Sequence, residues 1–386
     1  MITSLRVIRF VTYLCYNRFY NFICNSKVIY LIFLTFCVCY LHTLSRYREC
    51  GYWKTVIYCL PIVLFWCLLI GGQYNVGVDY FSYLEMYETG DLQYVTESRG
   101  EFVFAWIVFF CRSIGITGQS IFVVFALIGV LILFYTMKVV LPSKYFFLFF
   151  LVFICMCGTF HNQMSGQRQY LAIYVMTFVT CLLLYRKFII ALVLCGVAVF
   201  IHQSSLIFLP ALLVVYLFRN CNNCFFLVGV VLAGVAMSFV LDVAFVEKIV
   251  SSVSDYGHYI DRGIIEESQL IVRITKYIYV PLILWAIYKF HKMFLSRKQS
   301  QFFVIGTMGF AIKVSVLSLF IVDRIGRYLE IFSCLPIVFL LIYYKKIRRI
   351  ECFIFILLYL MTPYLVKVLT SQTGGYSYDS ILLHLD

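Results

Sequence analysis

Between its charged residues the chain consists of long apolar runs, and these limit its fold more than any motif does. Charge-free runs cover residues 28–45, 55–78, 113–137, 145–167, 169–185, 188–218 and 220–241, with interrupted runs near 270–288, 300–322, 328–344 and 352–366. Most of them reach across a hydrocarbon core of about 30 Å, which takes roughly 20 helical residues. The apolar residues are continuous rather than alternating, so the spans are helices, whose backbone groups are satisfied internally, and not barrel strands. With 63% hydrophobic and 13% charged residues among 386, the chain also lacks the polar surface to cover a soluble globule. The expected fold is all-α, a polytopic membrane bundle of about 11–13 transmembrane or re-entrant helices.

The net charge of +13 does not point to nucleic acid, because the basic residues fall in short clusters between apolar runs. Those clusters are Arg46–Arg48–Lys54, Lys138–Lys144, Arg186–Lys187, Arg219, Lys289–Lys292–Arg297–Lys298 and Lys345–Lys346–Arg348–Arg349. Placed together in the cytoplasm, as the positive-inside pattern asks, they set residues 73–101, the 158–168 turn, the turn at His202, the 242–269 loop, the Asp323–Glu330 turn and the C-terminal tail on the opposite face. For the parity to close, residues 102–118 must not cross fully, and the ten apolar residues Phe102–Cys111 are too short to span. The 31-residue run 188–218 would be about 46 Å long as one helix. With His202-Gln203-Ser204-Ser205 in its middle, it reads better as a hairpin of two short helices.

The expected organisation is a basic segment over residues 1–26, a bundle over 27–368 with exposed loops at 73–101 and 242–269, and a tail over 369–386. The first segment reads either as an interfacial amphipathic helix or as an extra span. No cleavable signal peptide is expected. The sixteen cysteines lie mostly inside apolar runs, where a thiol behaves as a small hydrophobe.

The stretch from Gln73 to Glu101 is the longest acidic, aromatic and polar interval of the chain and reads as the floor of an active site. The face it shares collects Asp79, Glu101, Arg168, His202, His258, Arg262, Arg324 and Arg327. Arginine on a face where the positive-inside rule disfavours it calls for an anionic ligand or a carboxylate partner. Arg168 opens a helix, where backbone donors also favour an anion, and interface anchoring is its alternative role. Arg324 and Arg327 stand three apart, on one face of a helical turn, although Arg324 could instead pair with Asp323 or Glu330. His202 at a turn is suited to phosphate binding or proton transfer, or else is a satisfied core histidine. Asp79 and Glu101 are candidate bases for an acceptor hydroxyl, and Tyr80 and Tyr83 offer rings that stack on sugars. Lys313 sits inside a late span, where charge is costly. There is no P-loop, dinucleotide turn or metal motif, so neither cofactor nor metal is expected and the substrate must bring its own activation.

Taken in order, Gly77-Val78-Asp79-Tyr80 with Tyr83, Glu101-Phe102, Arg168-Gln169 with Leu171-Ala172, Ile201-His202-Gln203-Ser204-Ser205-Leu206, and Arg327-Tyr328 followed by Pro336 resemble the EpsG-like and Wzy-type O-antigen polymerases of bacterial inner membranes. The pattern departs at Phe102-Val103, where a proline and glycine often follow the glutamate. It departs again ahead of Gly77, where no arginine stands. The resemblance implies a GT-C-like, metal-independent glycosyltransferase that joins oligosaccharide repeat units carried on undecaprenyl diphosphate at the periplasmic face of the inner membrane. It also implies a chain-length regulator as partner. Asp79, His202 and Glu101 would be catalytic, while Arg168, Arg327, Arg324, Tyr80 and Tyr83 would hold diphosphate or glycan. A flippase or exporter of the same lipid-linked sugars, or an O-antigen ligase, is the alternative reading.

Overall fold

A computed structural model describes residues 26–46, 49–240, 277–316, 326–371 and 374–381. The 1–26 segment (apart from Ser26), the 242–269 loop, and both Asp323 and Arg324 lie outside the described residues. The described chain is all-α apart from one isolated bridge, Gln73 to Ser380. Its helices are α1 (Ser26–Leu44), α2 (Tyr52–Tyr58), α3 (Leu60–Gly71), α4 (Tyr80–Thr89), α5 (Phe102–Ser113), α6 (Gln119–Val140), α7 (Phe146–Met156) and α8 (Gln167–Leu184). They continue with α9 (Phe188–Ile201), α10 (Ser204–Phe218), α11 (Cys224–Val240), α12 (Val280–Lys289), α13 (Arg297–Ser315), α14 (Leu335–Lys346) and α15 (Ile350–Thr370).

The protein is an all-α polytopic membrane protein. Among the described residues four helices are long and apolar enough to cross a membrane alone, and the bent pair α2–α3 makes a fifth. Several apolar runs are thus shorter as helices than as sequence, for local reasons. Run 55–78 bends by 67° between α2 and α3, where Pro61 starts the second helix and removes a backbone donor. Run 145–167 stops as a helix at Met156 and passes through Gly158 and a polar turn before α8 begins. Run 188–218 breaks at His202, whose extended backbone (φ −158°, ψ 119°) ends α9. The 12-residue α5 is about 18 Å long, well short of the hydrocarbon thickness.

Helix α8 is the axis of the bundle. It packs on α6, α9, α10 and the 327–329 turn, and apolar residues cover it on every side, as befits a helix without a lipid face. Its buried hydroxyls turn back on their own helix, Thr177 to the Ile173 carbonyl at 2.8 Å and Thr180 to that of Met176 at 2.9 Å. A polar atom is thereby satisfied without water.

The basic clusters gather at one end of this bundle. The Lys298 ammonium donates to the Leu184 carbonyl at the end of α8, Gln301 bonds Asn220 at 2.7 Å, and Lys345 lies 4.5 Å from the centre of the Phe147 ring. Arg168, at the start of α8, marks the opposite end. Here Gly77, with φ +85°, lets residues 76–79 lie on the turn before α8, where an added Cβ would fall 2.4 Å from the Ser165 Cβ. The 374–381 segment straps the same end, with Tyr74 N–H donating to the Asp379 carbonyl and Ile381 N–H to that of Gly72, both at 2.9 Å.

Gly115 has a similar φ of +82° but open space around it. Gly115→Ala therefore carries only the conformational cost, about 1–3 kcal/mol, whereas Gly77→Ala adds a steric collision. Thermal unfolding in detergent is expected to rank Gly77→Ala below Gly115→Ala, and equal midpoints would count against the Ser165 contact.

Candidate active site

Three distant segments meet at one buried carboxylate. Glu101 stands just before α5, its amide tied back to the Val95 carbonyl at 3.1 Å by a turn through Gly100 (φ +61°). Its side chain is fully buried. Glu101 Oε2 accepts from Arg168 Nη1 at 2.6 Å, and Oε1 accepts from His202 Nδ1 at 2.6 Å and from the Gln203 amide at 3.4 Å. Burial alone would push this carboxyl up, but the His202 hydrogen bond, followed by the Arg168 charge, holds it below its ordinary value of 4.5.

A carboxylate only accepts, so the His202 contact places a proton on Nδ1 and leaves Nε2 of the neutral ring as an acceptor. Arg168 is fixed from a second side, its Nε and backbone amide both 3.4 Å from the Tyr83 hydroxyl. Its guanidinium lies 5.7 Å from the centres of the Tyr83 and Phe104 rings. These contacts leave Nη2 without a hydrogen bond to the described residues.

Arg168 also lines a cavity of about 590 Å³ that opens between α4 and the 91–98 loop. Asp79, Tyr83, Glu85, Asp91, Tyr94 and Glu97 contribute to its wall. It joins carboxylates, hydroxyls and aromatic surface, the chemistry that suits a sugar rather than an apolar ligand.

Two residues further along α8, the Tyr170 hydroxyl accepts from Arg327 Nη1 at 3.1 Å. The next residue, Tyr328, is buried with its hydroxyl 2.7 Å from Ser204 Oγ and 3.0 Å from Ser205 Oγ, and its ring stacks on Phe208 at 4.9 Å. The Arg327 turn is thus pinned to the residues that follow His202.

A model of the EpsG family matches residues 56–381, most of the chain. The chain belongs to the EpsG family. Neither a curated protein nor a solved structure matches it. Membership carries a polysaccharide-polymerase-like role in general, with a glycosyltransferase-like activity.

In this EpsG-family chain the candidate residues take distinct places. Glu101, Arg168 and His202 form one hydrogen-bonded cluster, Tyr83 supports Arg168, and Asp79 is exposed on the cavity wall. Tyr80 is not at the cavity. Its ring is fully buried against Phe122, and its hydroxyl donates to Gln119 Oε1 at 2.8 Å. Gln119 in turn donates to the Gly71 and Gln73 carbonyls, so Tyr80 anchors the loop. Sequence reasoning missed Tyr170 as the Arg327 partner and the part played by Glu330, a buried acid. Glu330 carried a legible signal, a lone carboxylate within the late apolar run 328–344.

Removing one member of a buried ion pair costs about 3–5 kcal/mol, because the other charge is stranded. Glu101→Ala is therefore expected to lower thermal stability far more than Asp79→Ala, which removes an exposed group. The Glu101 value is depressed on folding, so its contribution is complete above pH 4.5 and declines as pH falls through the lower folded value. Unfolding midpoints followed downward from pH 6 should show an acid loss in wild type that Glu101→Gln lacks.

Proposed function

We propose that the protein is a surface-polysaccharide polymerase of the O-antigen type, a glycosyltransferase joining repeat units carried on undecaprenyl diphosphate. The observation that carries this reading is the meeting of Arg168, Glu101 and His202 beside a sugar-sized polar cavity, at the end of the bundle opposite the basic clusters. By the positive-inside pattern the basic end is cytoplasmic, so the cavity faces the periplasm of the inner membrane.

In this reading the non-reducing sugar of a new unit occupies the cavity, and the growing chain presents its anomeric carbon with the lipid diphosphate toward Arg168 and Arg327. The acceptor oxygen forms a bond to the anomeric carbon as the bond from that carbon to the diphosphate oxygen breaks. The hydroxyl proton passes to His202 Nε2, whose ring Glu101 holds through Nδ1. Asp79, on the cavity wall, is the other group able to receive it. Undecaprenyl diphosphate leaves as an anion, and the guanidiniums stabilise the charge that develops on it. A site at helix ends favours this reading over a flippase, whose polar site would belong near the bilayer midplane.

Deletion of the gene in its host is expected to leave lipid A core bearing a single repeat unit, and wild type to restore the ladder. Arg168→Ala, His202→Ala and Arg327→Ala, present in the membrane at wild-type levels, are expected not to restore it. Loss of even the single-unit band would move the protein to export or ligation, and ladders unchanged by the deletion would sink the proposal.

A further inference from the structure

A second carboxylate is buried in this end of the bundle, outside the Glu101 cluster. Glu330, 2% exposed, accepts the Gly158 amide on Oε1 at 3.1 Å and the Thr159 hydroxyl on Oε2 at 3.2 Å. Its backbone carbonyl accepts the Cys157 thiol at 3.0 Å. Lys313 Nζ, from α13, stands 3.7 Å from Oε1, and Lys313 is itself only 5% exposed. Gly326 permits this approach, since a Cβ there would meet the Lys313 Cα at 2.9 Å.

The contacts join three segments: residues 157–159, which lead through a short turn into α8 and Arg168, residues 326–333, which carry Arg327, and α13. Stability alone does not account for such a group. Buried ion pairs replaced by apolar residues of similar volume are often neutral or stabilising, and an ionisable residue inside a membrane bundle is more often kept for function. Its position offers the reason. Arg168 and Arg327 belong to different segments, and Glu330 bonds the approach to one of them while standing a single helical turn from the other.

We propose that Glu330 is a positioning residue that holds the segment leading to Arg168 against the turn that carries Arg327, and so sets where the two guanidiniums stand for a diphosphate. Lys313 balances its charge from α13. The identity of the anion rests on the polymerase reading, but the test requires no catalysis. Purified wild type and two double variants are titrated calorimetrically with inorganic pyrophosphate in detergent. Lys313→Met with Glu330→Gln removes both charges yet keeps an acceptor for the Gly158 amide. Lys313→Met with Glu330→Leu removes the acceptor as well, at similar volume.

The glutamine double is expected to bind pyrophosphate as wild type does, and the leucine double about tenfold more weakly, because the Gly158 amide and the Thr159 hydroxyl both lose their acceptor and the two segments part. The leucine double is expected to unfold at a lower temperature, because buried donors lose their acceptor, so every titration is run well below its midpoint. Equal affinity in both doubles, no binding by wild type, or a loss that disappears when the titration is repeated further below the unfolding midpoint would each overturn the inference. The expected pattern in a protein whose deletion leaves the ladder intact would retire the polymerase reading and leave the role of Glu330 standing.

Discussion

Everything at the working end of this bundle depends on a carboxylate that water does not reach. Glu101 is fully buried and ionised because Arg168 and His202 each stand 2.6 Å from one of its oxygens. Desolvation of a lone carboxylate would cost several kcal/mol, so the loop that carries Glu101 has to close on both α8 and the α9–α10 turn. That requirement couples the conformation of residues 73–101 to the site. It also decides what each partner has left to offer. His202 is oriented through Nδ1 with Nε2 remaining, and Arg168 is held through Nη1 and Nε beside a cavity.

The remainder of the bundle serves to keep these groups at one end without stranding polar atoms in hydrocarbon. The Tyr328 hydroxyl meets Ser204 and Ser205, Tyr170 meets Arg327, Tyr80 meets Gln119, and Glu330 takes up the amide and hydroxyl that open the turn before α8. Each is a contact between segments far apart in the chain, and each lies within a turn or two of a candidate site residue. The threonines along α8 bond back to carbonyls of their own helix.

Much of the architecture was legible in the chain because hydropathy is a local property. The break at His202 followed from an apolar run too long for one span with a polar centre, and the shortness of α5 from a run too brief to cross. The bend at Pro61 and the early end of α7 escaped that reasoning, since counting charges overlooks proline, glycine and neutral polar residues that also end helices. Glu101 is the sharpest contrast. The residues after it depart from the family pattern, yet it is the hub of the cluster, because its place depends on contacts across 67 and 101 positions of chain. Tyr80 shows the reverse. It sits in the motif beside Asp79, but its direction on α4 turns it into the core while Tyr83, three residues on, reaches Arg168.

The sequence by itself determined the class of fold, the polar end of the bundle and the pool of residues able to act there, because each follows from side-chain chemistry and from the cost of charge in lipid. Which arginine pairs with which carboxylate, which nitrogen of His202 is held, which tyrosine meets the cavity and what Glu330 joins were decided only by tertiary structure. Those are matters of a few ångströms between segments 67 to 172 residues apart, and no local pattern encodes them.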